Sequence, residues 1–421
     1  MISGVYTIRS QAVIFVLCAL LFGCKAGQLA PLAIRMTASV EIEETDTALI
    51  SSVNSLDVSP DGTKVLIGDA SGGGVFLYSL KSGRLLRHFQ GYPGLGDSLA
   101  RNMPSPFYTG TPGCDTVVYY TRAQYYKIQP NPADETRKFL EQSVVQRLGA
   151  AFFKTDTTIV IAANVKTFMQ NHEDVWAGAA TAILTYSLSR EHPSFVLPLW
   201  RGYFCTLAYD GFWDGLRKSY LMSAMDISAF DSVRFDSAVT LVRVDTNGNV
   251  LAKLCSVPSE CKIRRLGYSY HRNLVGFAPD RSIFVGYGPS LEIRNLSSGA
   301  SFNLKLPKDN SRMFELMRKY SAHPKLKVVW DSLALTKPVT VWSLGVRPSG
   351  NIIVCSAIAD PQHNLSWYVQ EYTEDGDLKA QTILGSPTDK LEAVFYSSAI
   401  DDLIVLRHTK HETWEMIRYS L

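Results

Sequence analysis

Residues 55–70 read SLDVSPDGTKVLIGDA, and residues 343–358 read SLGVRPSGNIIVCSAI. In both, a short apolar run meets a polar turn that holds glycine, and a second apolar run follows. That punctuation marks a β-hairpin. It recurs in Pro106–Arg122, Ala150–Val165, Thr206–Ala224, Leu274–Gly288 and Ala393–His408, which makes seven units. Outer hairpins follow several of them, with turns expected at Ser82-Gly83, Asn247-Gly248, Ser298-Gly299 and Asp375-Gly376, where glycine supplies the positive φ of a tight turn. An inner and an outer hairpin together make a four-stranded sheet of roughly 45 to 60 residues, the unit of a β-propeller blade.

The last unit, Lys390–Leu421, offers only three strands: Glu392–Tyr396, Leu403–Arg407 and Glu415–Ser420. Near the other end, Thr37–Glu43 alternates apolar and polar residues and has no hairpin partner. Pairing the two closes a ring and covers an open sheet edge. The expected fold is therefore all-β, a single β-propeller over residues 37–421 with six or seven four-stranded blades, and the hairpin count favours seven. One interruption stands out at about 308–338. There Asn310 or Ser311 can cap a short helix that presents Met313, Leu316, Met317 and Tyr320 on one face and ends at His323-Pro324. The expectation is a helical insertion packed on a propeller face.

Composition agrees with a folded chain. Of 421 residues, 46% are hydrophobic and 19% charged, enough apolar surface to offset chain entropy. Repeats let one domain exceed the usual length. Lys and Arg number 42 against 39 Asp and Glu, for a net charge of +3 without basic runs. Nucleic acid is not an expected partner, because the phosphate-neutralising footprint is missing.

The N-terminus places Arg9 before the eleven-residue apolar run Ala12–Phe22. That is too short to span a bilayer, which takes roughly 20 residues, and it suits the core of a signal peptide over residues 1–23. Residues 24–36 then read as a tether. Export opens the question of disulfides. Cys255 and Cys261 flank the short connection SVPSE between two strand-like runs, and a disulfide between them is one reading, two separate thiols the other.

The end of the leader, Leu21-Phe22-Gly23-Cys24, resembles the lipobox of bacterial lipoproteins. With the first blade (SLDVSPDGTKVLIGD, then VFLYSLKSGRLLRHFQGYPGLG) and the C-terminal third (VVWDSLALTKPVTVWSLGVRPSGNIIV, YVQEYTEDGDL and WEMIRYSL), the chain is similar to bacterial six-bladed β-propeller lipoproteins of the NHL-repeat and TolB-like kind. The resemblance implies acylation at Cys24 and a lipid-tethered place in a bacterial cell envelope, periplasmic or surface-exposed. It also implies six blades, so either two irregular units between Gly149 and Val257 merge or this chain has one blade more. It supplies no catalytic residues.

No strong chemical signature emerges. His408, His411 and Glu412 lack the helical HExxH arrangement, and Asp245–Asn249 lacks the glutamate that would complete a calcium loop; both read as strand-to-strand turns. No Gly-x-Ser-x-Gly elbow or phosphate-binding glycine motif occurs, and no cofactor or metal is called for. The best ligand candidate is the aromatic segment Tyr203–Tyr220, where Phe212 and Trp213 can stack on a sugar or peptide while Asp210 and Asp214 accept hydrogen bonds. The competing reading is that these rings fill space between blades. The expected function is a monomeric, membrane-tethered binding or interaction module whose partner is an envelope protein or glycan. The alternative is a propeller hydrolase or lactonase with a metal in the central channel.

Overall fold

The computed structural model describes residues 30–46, 48–51, 53–69, 74–90, 105–109, 116–120, 145–170, 175–191, 193, 195–198, 203–204, 211–226, 239–256, 273–287, 292–305, 340–359, 365–385 and 390–421. Among these residues the chain is all-β, in six sheets that form the blades of one propeller. Blade one runs from its innermost strand Val53–Val58 through Lys64–Asp69 and Val75–Ser79 to Leu85–Phe89. Blades two to five begin at the innermost strands Val145–Thr155, Gly211–Asp214, Asn273–Phe277 and Thr340–Val346. Blade six begins at Lys390–Ser397, continues through Asp402–His408 and Trp414–Ser420, and takes its outermost strand, Arg35–Glu41, from the start of the chain.

The packing explains why so many strands read as nearly unbroken apolar runs. Successive side chains of a strand point to opposite faces, and each blade has a neighbour on both sides. Val65 and Ile67 enter the core shared with blade six, whereas Leu66 between them enters the core shared with blade two. Phe152 packs toward blade three and Phe153 toward blade one. The buried apolar residues fall into six clusters, each between two neighbouring blades, so the core itself is a ring.

The preference for seven blades is overturned. The surplus unit is Pro106–Arg122. Its strands Ser105–Thr109 and Thr116–Tyr120 pair with each other and meet blade two at one parallel bridge, Phe107 to Gln170. They add a hairpin to an existing sheet. The irregular stretch between Gly149 and Val257 instead supplies two whole blades. The helix expected within 308–338 lies outside the described residues, and those described contain no helix.

The closing strand forms as the sequence suggests. Arg35–Glu41 runs antiparallel to Trp414–Ser420, with Val40 opposite Met416. The chain then passes to blade one: the Ile42 amide donates to the Trp414 carbonyl at 2.8 Å and the Glu43 amide to the Gly83 carbonyl at 2.9 Å. Part of the stretch read as a tether is also docked. Ala30 and Pro31 pair in parallel with Ala380 and Gln381 on the outer strand of blade five, and Leu32 is buried beside them. The expected outer turns form with Gly83, Gly248, Gly299 and Gly376 at φ of 67°, 87°, 77° and 87°.

Candidate functional site

Six innermost strands converge on one cavity of about 280 Å³ along the propeller axis, room for on the order of nine waters at ~30 Å³ each. An innermost strand has one paired edge and one free edge. The free edge faces the channel, which is why consecutive residues such as Ser55, Leu56, Asp57 and Val58 all contribute to the wall. Blades two to six each add an aromatic residue to the lining, among them Phe153, Phe212, Trp213, Phe277, Trp342 and Tyr396, of which Phe153 and Tyr396 are buried in the seams between blades.

Asp57 is the one charged residue among the described lining residues. Its Oδ2 accepts a hydrogen bond from the Phe153 amide of blade two at 2.7 Å, and its Oδ1 accepts from the Val58 amide at 3.0 Å. Withdrawal from bulk water raises its carboxyl to about 7, against the lowering effect of the two N–H donors. Blade five meets the same need with a neutral group: the Tyr396 amide of blade six donates to Ser343 Oγ at 3.0 Å. In the two aligned repeats, Ser343 matches Ser55 and Gly345 matches Asp57. Ser55 Oγ is buried in the channel wall without a hydrogen-bond partner, as is Trp342 Nε1.

Tyr396 is the other titratable group on the described wall. Its hydroxyl donates to Asp401 Oδ1 at 2.9 Å. Burial, reinforced by that carboxylate, pushes it well above the ordinary phenol range. Arg347 clamps Asp401 with two hydrogen bonds, of 3.0 and 2.8 Å, joining the turns of blades five and six.

Of the residues singled out in the sequence, Phe212 and Trp213 stand half-buried on the innermost strand of blade three and line the channel. They also pack between blades as the competing reading expects, Phe212 against the cluster shared with blade four and Trp213 against the cluster shared with blade two. The Trp213 ring also lies 4.9 Å from that of Tyr220, with Lys154 Nζ 4.3 Å from its centroid. Asp214 ends the same strand but is 3% exposed and outside the channel lining. Its Oδ2 takes Arg243 Nη1 at 2.7 Å and Arg217 Nη1 at 3.1 Å. Burial works to raise its carboxyl, yet the Arg243 and Arg217 hydrogen bonds outweigh it and hold the group below the usual carboxylate range. Asp210, Cys24 and Cys261 lie outside the described residues. Cys255 is half-buried on the outer strand Val250–Ser256, where burial raises its thiol.

The two rejected motifs are turns. Asp245 Oδ1 accepts from the amides of Asn247 and Asn249, both at 2.8 Å. His411 and Glu412 sit in the turn closed by Thr409 and Thr413, and the His408 ring lies against Trp414. Among the described residues no three of His, Cys, Asp and Glu stand close enough to share a metal ion.

No protein-family model and no curated protein matches the chain. Among solved structures, a member of the DUF4221 family from Bacteroides vulgatus ATCC 8482 is similar at 9% identity and a TM-score of 0.51, over 93% of this chain and 99% of that one. A protein from Bacteroides fragilis NCTC 9343 described as exported gives a TM-score of 0.49 at 11% identity, over 94% of this chain and 97% of its own. At 9% identity, the first likeness is one of fold.

Proposed function

We propose that this chain is a binding module of the bacterial cell envelope, held at a membrane through acylated Cys24, with the central channel of the propeller as its ligand site. The observation that carries the reading is the channel itself. Six strands bring aromatic rings and one carboxylate to a cavity of small-molecule dimensions, and concave, mostly apolar sites with a few convergent polar groups are where ligands bind. The leader ending at Cys24 supports the address. Phe212 and Trp213 serve as stacking surfaces in this reading, and Asp214 braces the strand that carries them. The metal-dependent hydrolase alternative finds a single carboxylate on the described wall, whereas catalytic zinc takes three protein ligands.

The test uses the secreted Cys24→Ser form in a thermal-shift screen against small envelope metabolites and glycan fragments. Hits are expected to lose their stabilising effect in Phe212→Ala, with that variant still folded by circular dichroism. Hits that are indifferent to Phe212→Ala would place the binding site elsewhere and overturn the assignment. Lipidation is checked separately by labelling with a fatty-acid probe, which Cys24→Ser should abolish.

A further inference from the structure

We propose that the central channel binds a small organic ammonium ion, with Asp57 as its counter-charge and the surrounding rings as its cage. This rests on the channel being the ligand site. Its first support is a carboxyl with no opposite charge beside it among the described residues. The described walls that blades two to six present to the channel carry no Lys, Arg or His; Tyr396, the other titratable group there, is tied to Asp401. Lys154, the residue after Phe153, places its ammonium on the rings of Trp213 and Tyr220. A carboxyl withdrawn from water is neutralised by a proton or balanced by a counter-charge, and no Lys, Arg or His on the described wall supplies the latter to Asp57.

The second support is that the fold does not require a carboxylate here. The copy of the repeat in blade five caps the next blade with Ser343 and has Gly345 where blade one has Asp57. Blade one keeps the serine as well. Ser55 is 7% exposed on the channel wall, and its Oγ has no partner, an unspent hydrogen-bonding group beside the carboxylate in sequence and on the same strand. Trp342 Nε1 is a second unpartnered group on the wall.

The third support selects the kind of cation. A divalent metal takes several anionic or oxygen donors, and the described wall offers one carboxylate. Aromatic faces attract weakly hydrated organic cations, the more so when water is excluded. A cavity of about 280 Å³ fits a small alkylammonium.

Binding of a cation also couples to the proton on Asp57. Below about pH 7 the carboxyl is largely protonated, so the ligand must displace that proton and affinity rises with pH until the group is ionised.

The experiment is calorimetric titration of the full chain in non-ionic detergent with choline and with 3,3-dimethylbutan-1-ol, its uncharged isostere. Choline is expected to bind at least roughly tenfold more tightly than the isostere at pH 8, and to weaken several-fold at pH 5.5 while the isostere does not. Asp57→Asn keeps an acceptor for the Phe153 amide and should remove both the preference and the pH dependence. If that variant melts early, the pH series on the unaltered chain still decides. Equal binding of the two probes would overturn the ammonium assignment and leave the channel as an apolar ligand site. If neither binds at millimolar concentration, the ammonium assignment falls, and the screen described above decides the channel separately.

Discussion

Asp57 and Gly345 hold the same place in two copies of one repeat, and the chemistry of the channel turns on that difference. The folded state keeps the Asp57 carboxyl near 7, whereas an unfolded aspartate titrates near 3.9. Between those values the folded chain holds the extra proton, so its stability falls as pH rises from about 4 to about 7 and levels off above. Urea unfolding at pH 5 and pH 8 should show that slope reduced in Asp57→Asn; an unchanged slope would assign it to another group. Asp214 behaves oppositely. Replacing it by alanine strands Arg243, which is 12% exposed at its side chain, and should cost about 3 kcal/mol. Chemical denaturation would register it as a shifted midpoint. Phe212 and Trp213 were legible as candidates because adjacent rings flanked by aspartates are conspicuous in a sequence, although the segment is a strand. Asp57 was not, because it stands in a hairpin whose turn and apolar runs the fold already explains; setting it against Gly345 was the available signal.

At the scale of elements, strand pairs could be read but their grouping could not. Alternation and turn glycines locate hairpins, since both are local properties of strands and turns. Whether a hairpin founds a blade depends on two more strands behind it and on cores on both its faces. Pro106–Arg122 has the local pattern, yet the sequence of residues 123–144 holds no glycine to punctuate an outer hairpin, and that was the clue to six blades. The turn glycines are unequal in consequence. A Cβ at Gly83 would overlap the carbonyl of Glu41 on the closing strand, whereas one at Gly299 meets nothing within 4 Å. Gly299→Ala should cost about 1 kcal/mol, the strain of left-handed backbone alone. Gly83→Ala should cost roughly 1–3 kcal/mol more, because the closing strand must shift. Equal losses in paired thermal melts would mean that the blade-six to blade-one seam tolerates displacement.

The whole molecule depends on its first described residues. Closure of the ring was legible from an incomplete last unit and an orphan strand, two local deficits that cancel. The earlier docking of Ala30 and Pro31 on blade five was not, because two residues carry no periodicity. Trp414, 1% exposed, fixes the seam by donating its Nε1–H to the Ile50 carbonyl at 2.8 Å. The six clusters then support one another around a circle, so opening one seam exposes faces on two blades.

The two successive dockings of the N-terminal chain have a mechanical meaning. A load applied at the N-terminal end of the chain meets the two-residue pairing on blade five before it meets the seven-residue strand that shuts the ring. The first contact is a fuse in series with the lock. When it yields, residues 30–34 are released and the chain lengthens by roughly 15–20 Å, while the propeller stays shut. Pulling single molecules from the N-terminus should show that small step at lower force than ring opening, and a single rupture without it would refute the arrangement. Under the tethering proposed through Cys24, such a fuse would absorb a tug in the leader before the tug reached the closed ring.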